Sequence, residues 1–166
     1  DVPAEVQLSA LVPNAKGLER ALGAGLQEIA VFLSASETHN KKNINKTIDR
    51  TLSVFGEIVP PALEAGLRVR AYVSTVWGCP YEGAIDPGRA IEIAVRLSDL
   101  GCYQISLGDT IGVGTPNVTR DIVARALDVL TVEQIALHEL LSHRLRVLQP
   151  ADASSIEQME EELALR

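Results

Sequence analysis

The chain reads as an α/β protein, an array of about five parallel strands with flanking helices and a C-terminal helical tail. Short apolar stretches recur at residues 6–12, 28–33, 68–74, 104–108 and 134–138, with helical patterns between them. Strand and helix in regular alternation call for a parallel sheet joined by right-handed crossovers. Glycines fall at the returns from helix to strand, in Gly23-Ala24-Gly25, Ala65-Gly66 and Leu100-Gly101, where left-handed helix caps belong. The composition agrees, with 46% hydrophobic residues, only 4% aromatics and an abundance of Ala, Val, Leu and Ile, as expected for helices packed on a buried sheet.

Taken in order, these patterns give four βα units and a fifth strand. The longest helical pattern carries Ile44, Ile48, Leu52, Phe55 and Val59, then meets Pro60-Pro61. A proline inside a helix removes a hydrogen bond and costs about 3 kcal/mol, so this helix is expected to end near Val59, with a short second segment to Ala65. In the fourth strand, alternation puts Ser106 and Gly108 on one face and Ile105 and Leu107 on the other. Asp109 follows at the strand's C-terminal mouth. Thr115 is a credible N-cap with Pro116 at the first helical position, followed by a stripe of Val118, Ile122, Val123, Ala126, Leu127 and Leu130. Beyond residue 138 the pattern changes. Ser155 and Gln158 offer a capping box for a last helix, on which Ile156, Met159 and Leu163 make a narrow apolar stripe. The expected division is a βα region over residues 1–138 and a divergent helical tail over 139–166.

A length of 166 residues is one domain's worth, and 22% charged residues are ordinary for a globular chain. The net charge of −7 and the scatter of basic residues argue against a nucleic-acid surface, which needs clustered Lys and Arg. Lys41, Lys42 and Lys46 form the one local basic cluster, read either as a solvated helix start or as a partner for phosphates. Two cysteines, Cys79 and Cys102, make neither a disulfide framework nor a zinc spacing, and Cys102 reads as a small buried hydrophobe. There is no run of 18 or more apolar residues, so no membrane partner is expected and the cytoplasm is the default compartment.

Four ordered blocks carry a resemblance. They are Val12-Pro13-Asn14-Ala15-Lys16-Gly17; Ser36-Glu37 leading to Lys41-Lys42-Asn43-Ile44-Asn45; Arg70-Ala71-Tyr72-Val73-Ser74 leading to Gly78-Cys79-Pro80-Tyr81-Glu82-Gly83; and the run from Gly101 to Pro116. Over about residues 8–138 the chain resembles the 3-hydroxy-3-methylglutaryl-CoA lyases, which usually carry Glu where Gln104 stands. The resemblance implies part of a TIM barrel, an acyl-CoA substrate, and metal-assisted cleavage of 3-hydroxy-3-methylglutaryl-CoA to acetyl-CoA and acetoacetate. Mg²⁺ or Mn²⁺ would suit such oxygen-rich chemistry. A family member in a eukaryote would place the mitochondrial matrix beside the cytoplasm as a compartment.

Residue by residue, the resemblance marks Asp109 and His138 as catalytic, His138 also as a metal ligand, and Ser36, Asn43, Tyr72, Ser106 and Thr110 as substrate-binding. Five of them have a structural alternative. Asp109 can serve turn geometry by accepting from nearby backbone N–H groups; Asn43 can cap a helix; Ser36 can cap a loop; Tyr72 can pack the barrel interior; His138 can be a strand-end histidine without metal. His39 and His143 read as solvent-facing, and Trp77 and Tyr81 as packing a glycine-rich turn. The family's metal set also includes an Asp on its first strand, a second His two residues after the first, and an Asn. Leu140 stands at that second His position, and the family's reactive Cys has no counterpart, Cys79 lying in a different setting. The expected cation site is therefore incomplete and weak, and little lyase activity is expected of this chain alone. The competing reading is a non-catalytic or assembly-dependent βα scaffold, for which a homo-oligomer or a complementary fragment is the expected partner, because unpaired sheet edges invite association.

Overall fold

Each apolar stretch becomes a strand, and each stretch between becomes a helix or a loop that turns the chain back. In chain order the elements are β1 (Ser9–Leu11), α1 (Ala15–Gly23), β2 (Glu28–Ser34), α2 (Glu37–Ile44), α3 (Ile48–Glu64), β3 (Arg68–Ser74), a small hairpin of β4 (Gly78–Cys79) and β5 (Gly83–Ala84), α4 (Pro87–Asp99), β6 (Gln104–Asp109), α5 (Pro116–Leu127) and β7 (Ile135–Glu139). These come from a computed structural model, which describes residues 6–139. The division at 138 and the expected tail features at Leu140, His143 and Ser155 to Leu163 lie outside the described residues.

The five long strands form one parallel sheet in the order β1-β2-β3-β6-β7, which is also their order in the chain. With every crossover right-handed, an order that never reverses puts all the helices on the same face, as in a barrel and unlike a doubly wound sheet. The helix-covered face holds the core. Ile29, Val31 and Leu33 of β2, Val69, Ala71 and Val73 of β3, and Ile105 and Leu107 of β6 are buried against Phe55, Ile58, Val59, Ile93, Leu97 and Ile122. Each large side chain buried there contributes roughly 1.5–3 kcal/mol of transfer free energy. The opposite face carries Phe32, Arg70, Tyr72, Gln104 and Ala136, all half-buried, as the period-two alternation requires.

Two local expectations change. The first strand is shorter than 6–12, because β1 is an edge that pairs only over Ser9↔Glu28, Ala10↔Ile29 and Leu11↔Ala30. The expected long helix from Ile44 is two helices, and its expected break at the prolines does not occur. Asn45, in the left-handed region at φ 54°, ends α2, and the Thr47 hydroxyl starts α3 by accepting from Arg50 N at 3.1 Å. Lys41 and Lys42 therefore lie in a last helical turn, not a helix start, where they complement the negative end of the helix dipole. Helix α3 runs through Pro60 and Pro61 to Glu64. Both prolines and the residues one turn earlier, Gly56 and Glu57, are exposed, so the carbonyls left without an N–H face water. Ile58, Val59 and Ala62, all fully buried, hold the opposite side of the same turn on the sheet. Packing overrides propensity.

Gly101 closes the return from α4 to β6 at φ 100°. No helix among the described residues is long and apolar enough to cross a membrane.

Candidate functional site at the carboxyl ends of the strands

The open face of the sheet forms a cavity of about 360 Å³ where β3, β6 and β7 end. Strand register builds its wall. Tyr72 pairs with Ser106 across β3 and β6, Ser106 pairs with Ala136 of β7, and Gly108 pairs with His138. Tyr72, Ser74, Ser106, Asp109, Thr110 and His138 line it together. Five of the residues singled out in the sequence, Tyr72, Ser106, Asp109, Thr110 and His138, thus meet in one place. Gly108 lets the strands come this close: a Cβ there would stand 3.3 Å from Val73 O and 3.6 Å from Ser74 Cα.

The side chains differ in what they leave free. Ser106 is almost wholly buried and its hydroxyl makes no hydrogen bond to the described residues. Ser74 donates its hydroxyl proton to Leu33 O at 3.1 Å and so keeps lone pairs for the cavity. The Thr110 hydroxyl accepts from Thr75 N at 2.8 Å. Asp109 is 1% exposed, and both its oxygens are engaged, Oδ1 by Val113 N at 3.1 Å and Oδ2 by Gly114 N at 2.8 Å. That is the turn-holding alternative: the carboxylate folds the loop from Thr110 to Thr115 over the end of β6. His138 is exposed at the end of β7.

Ser36 and Asn43 lie apart from this wall. Ser36 is fully buried as the N-cap of α2, its hydroxyl accepting from His39 N and from Cys79 Sγ, each at 3.0 Å. This is the capping alternative, and it leaves no part of Ser36 exposed among the described residues. Asn43 is exposed in the last turn of α2 and caps neither helix, the helix N-caps there being Ser36 and Thr47. His39 is half-buried, not solvent-facing, with its ring 6.1 Å from Tyr81. Trp77 does pack a loop: a Cβ on Gly114 would stand 3.2 Å from its Cδ1. Tyr81 is 54% exposed with Lys42 Nζ 4.5 Å over its ring, a cation–π contact.

Three polar residues went unread in the sequence. Asn40, 1% exposed, accepts from Ser34 N at 3.0 Å and donates to Lys46 O and Thr51 Oγ1, each at 2.9 Å, so it ties α2 to β2 and α3. Ser34 and Thr75 share a 2.6 Å hydrogen bond between hydroxyls at the ends of β2 and β3. A helical Asn and two strand-end hydroxyls carry no sequence signal of such roles. Below the cavity, the Arg70 guanidinium lies 5.1 Å over the Tyr72 ring, and Arg68 4.1 Å over Tyr103. Burial and the hydrogen bond to Glu28 raise the Tyr103 pKa. For Glu82 burial pushes upward, but hydrogen bonds from the Thr38 side chain and backbone and the Ser36 hydroxyl, with the Arg89 charge, bring its carboxyl below the ordinary value. Burial alone pushes the Cys102 thiol up to about 12.

The donors among the described residues do not make up a complete cation site. Among the described residues no group of three or more His, Cys, Asp and Glu side chains could share a metal ion, and His138 is the sole family-type ligand in the wall.

A parallel βα sheet wound in one direction, with its polar side chains gathered at the carboxyl ends of adjacent strands, is the wall of a barrel-type site. The chain belongs to the HMGL-like family, whose model matches residues 3–143. It is 49% identical over 133 residues to the mitochondrial hydroxymethylglutaryl-CoA lyase of Bos taurus, covering 80% of this chain and 41% of that protein. The HMG-CoA lyase structure from Brucella melitensis superimposes with a TM-score of 0.81 at 40% identity, over 84% of this chain and 49% of that one. An HMG-CoA lyase from Acinetobacter baumannii, in complex with coenzyme A and 3-methylmalate, superimposes with a TM-score of 0.77 at 32% identity, over 84% and 45% of the two chains. This chain spans less than half the length of each of these proteins.

Proposed function

We propose that this chain supplies the substrate-facing wall of a carbon–carbon lyase that cleaves 3-hydroxy-3-methylglutaryl-CoA to acetyl-CoA and acetoacetate, and that it turns over little on its own. The observation that carries the reading is the shared wall of Tyr72, Ser106, Thr110 and His138 at the strand ends. The substrate's acyl part is rich in oxygen: a thioester carbonyl, a tertiary hydroxyl and a carboxylate. Ser106 offers a free hydroxyl, Thr110 an O–H donor, and Ser74 an acceptor, a complement suited to holding such oxygens in one orientation. The ligands of the Acinetobacter relative, coenzyme A and the hydroxy-dicarboxylate 3-methylmalate, are of the same chemistry. In this reading Asp109 acts indirectly by shaping the loop, and Asn43 meets the CoA portion from outside the cavity.

A divalent cation, when bound in such a lyase, polarises the substrate's oxygens. Among the described residues His138 belongs to no group of three or more His, Cys, Asp and Glu side chains that could hold such a cation. Acetoacetate release measured with excess Mn²⁺, beside calorimetric titration with 3-hydroxy-3-methylglutaryl-CoA, tests the proposal. We expect binding with turnover far below that of a complete lyase. Turnover matching a complete lyase refutes the impairment, and absence of binding refutes the substrate wall. The compartment follows the substrate, cytoplasm or mitochondrion, the latter being in the bovine relative's name.

A second reading, an assembly-dependent scaffold, is favoured by the sheet's edges. Leu11 of β1 is 62% exposed and Leu137 of β7 is 45% exposed, and neither edge strand has a partner on its outer side among the described residues. Light scattering decides: a clean monomer at micromolar concentration counts against it.

A further inference from the structure

The backbone is most strained beside the cavity, at Thr75. Its φ of 61° lies in the left-handed region, where a β-branched residue is a genuine outlier. Such a conformation persists only when the surroundings over-determine it, and here they do. Thr75 is fully buried. Its hydroxyl sits 2.6 Å from Ser34 Oγ, donates to Ser74 O at 2.7 Å and accepts from Ser36 N at 3.2 Å. The residues on either side are pinned as well, Ser74 O accepting from Ala35 N at 2.9 Å and Val76 N donating to Gly108 O at 3.1 Å. One residue thereby knots the ends of β2, β3 and β6.

The product of that knot is a single directed contact, from Thr75 N–H to Thr110 Oγ1 at 2.8 Å. A hydroxyl has one proton and two lone pairs. With a lone pair occupied by the amide, and with no acceptor for its proton among the described residues, the exposed Thr110 side chain keeps its O–H for the cavity that it lines. We propose that Thr75 is a positioning residue, strained so as to hold Thr110 as a fixed hydrogen-bond donor, and that the group received is an oxygen acceptor on the acyl part of the ligand. The identity of that ligand rests on the acyl-CoA reading above. Threonine suits the place where glycine would relieve the strain, because glycine would also loosen the turn and delete the hydroxyl that anchors it.

The test is calorimetric titration of the 166-residue chain with 3-hydroxy-3-methylglutaryl-CoA and, separately, with coenzyme A lacking the acyl group. T75S keeps the hydroxyl and should bind both within about twofold of the unaltered chain. T75V and T75G should weaken acyl-CoA binding about tenfold, the scale of one hydrogen bond, and leave coenzyme A within about twofold. T110V should match them, and the T75V/T110V pair should be no weaker than either alone. Equal weakening of both ligands would reduce Thr75 to a structural role, and unaltered acyl-CoA binding by T75V and T75G would refute the idea outright. An unaltered chain that binds neither ligand overturns the acyl-CoA reading itself, and the Thr110 donor assignment with it. Should the Thr75 variants not fold, T110V carries the test from the exposed side: Thr75's amide should then lose hydrogen-exchange protection together with the tenfold loss. A protected amide with unchanged binding overturns the proposal.

Discussion

Asp109 is the residue whose role a single substitution resolves best. Its two oxygens accept from Val113 N at 3.1 Å and Gly114 N at 2.8 Å in a site 1% exposed. A hydrogen bond to a charged group contributes about 1.5–3 kcal/mol. In D109N only one oxygen remains, and it should stay with Gly114, whose bond is buried, while the part-buried Val113 N–H turns toward water. The net loss is then one charged bond and the charge on the other, about 2 kcal/mol. For a chain of this size each kcal/mol lowers Tm by roughly 2–4 °C, so D109N should melt about 4–8 °C below the unaltered protein. D109A loses both bonds, strands the Gly114 N–H and leaves a void, and should fall about twice as far. Thermal unfolding followed by circular dichroism at several scan rates measures both. A D109N Tm within 1 °C of the unaltered chain, or D109A no worse than D109N, would show that the carboxylate does not hold the loop.

Three further outcomes follow from the same structure. Alkali should destabilise the protein through Cys102: its thiol is raised by burial from 9.0 to about 12, so the stability linked to the neutral form is complete below pH 9 and is lost as pH climbs toward 12. At about 1.4 kcal/mol per pH unit the loss reaches about 4 kcal/mol, and C102A should flatten urea-unfolding stability against pH; parallel profiles would refute it. G101A places a Cβ 2.5 Å from Leu63 Cδ1 at φ 100°, but Leu63 is 39% exposed and can swing away, so the cost should be backbone strain of about 1–2 kcal/mol, not relieved in G101A/L63A. A double mutant restored to the stability of L63A alone would instead assign the cost to the clash. I105A, in the fully buried row of β6, should lose about 2–5 kcal/mol in urea titration, and a loss under 1 kcal/mol would mean that the sheet does not pack on its helices as described.

Much of the architecture was legible because it rests on local repetition. The stretch 68–74 is β3 itself, 28–33 is β2 short of one residue, and the alternation in 104–108 set Ser106 and Gly108 on the cavity side correctly. Thr115 and Pro116 do open α5, though Thr115 caps it without a side-chain hydrogen bond. The prolines misled because the penalty for proline is a property of an isolated helix, and α3 is held by Ile58, Val59 and Ala62 on the sheet. The capping alternative for Asn43 failed for a related reason: the cap residues that divide α2 from α3 are Asn45 and Thr47, two and four positions further on.

The sequence by itself determined the βα order, the buried and open faces of each strand, the glycine returns and the family resemblance, since all of these are written in spacing along a few turns or pleats. Only the tertiary structure decided what the polar residues do. For Asp109 it supplied the loop amides, four and five residues on, that its two oxygens accept from. Thr75 has no mark in the sequence, because its distant partners stand at the ends of other strands, Ser34 41 residues away and Thr110, just past β6, 35 away. Hydrogen bonds between residues so far apart in the chain exist only after β2, β3 and β6 have been laid side by side, and that is where the site is made.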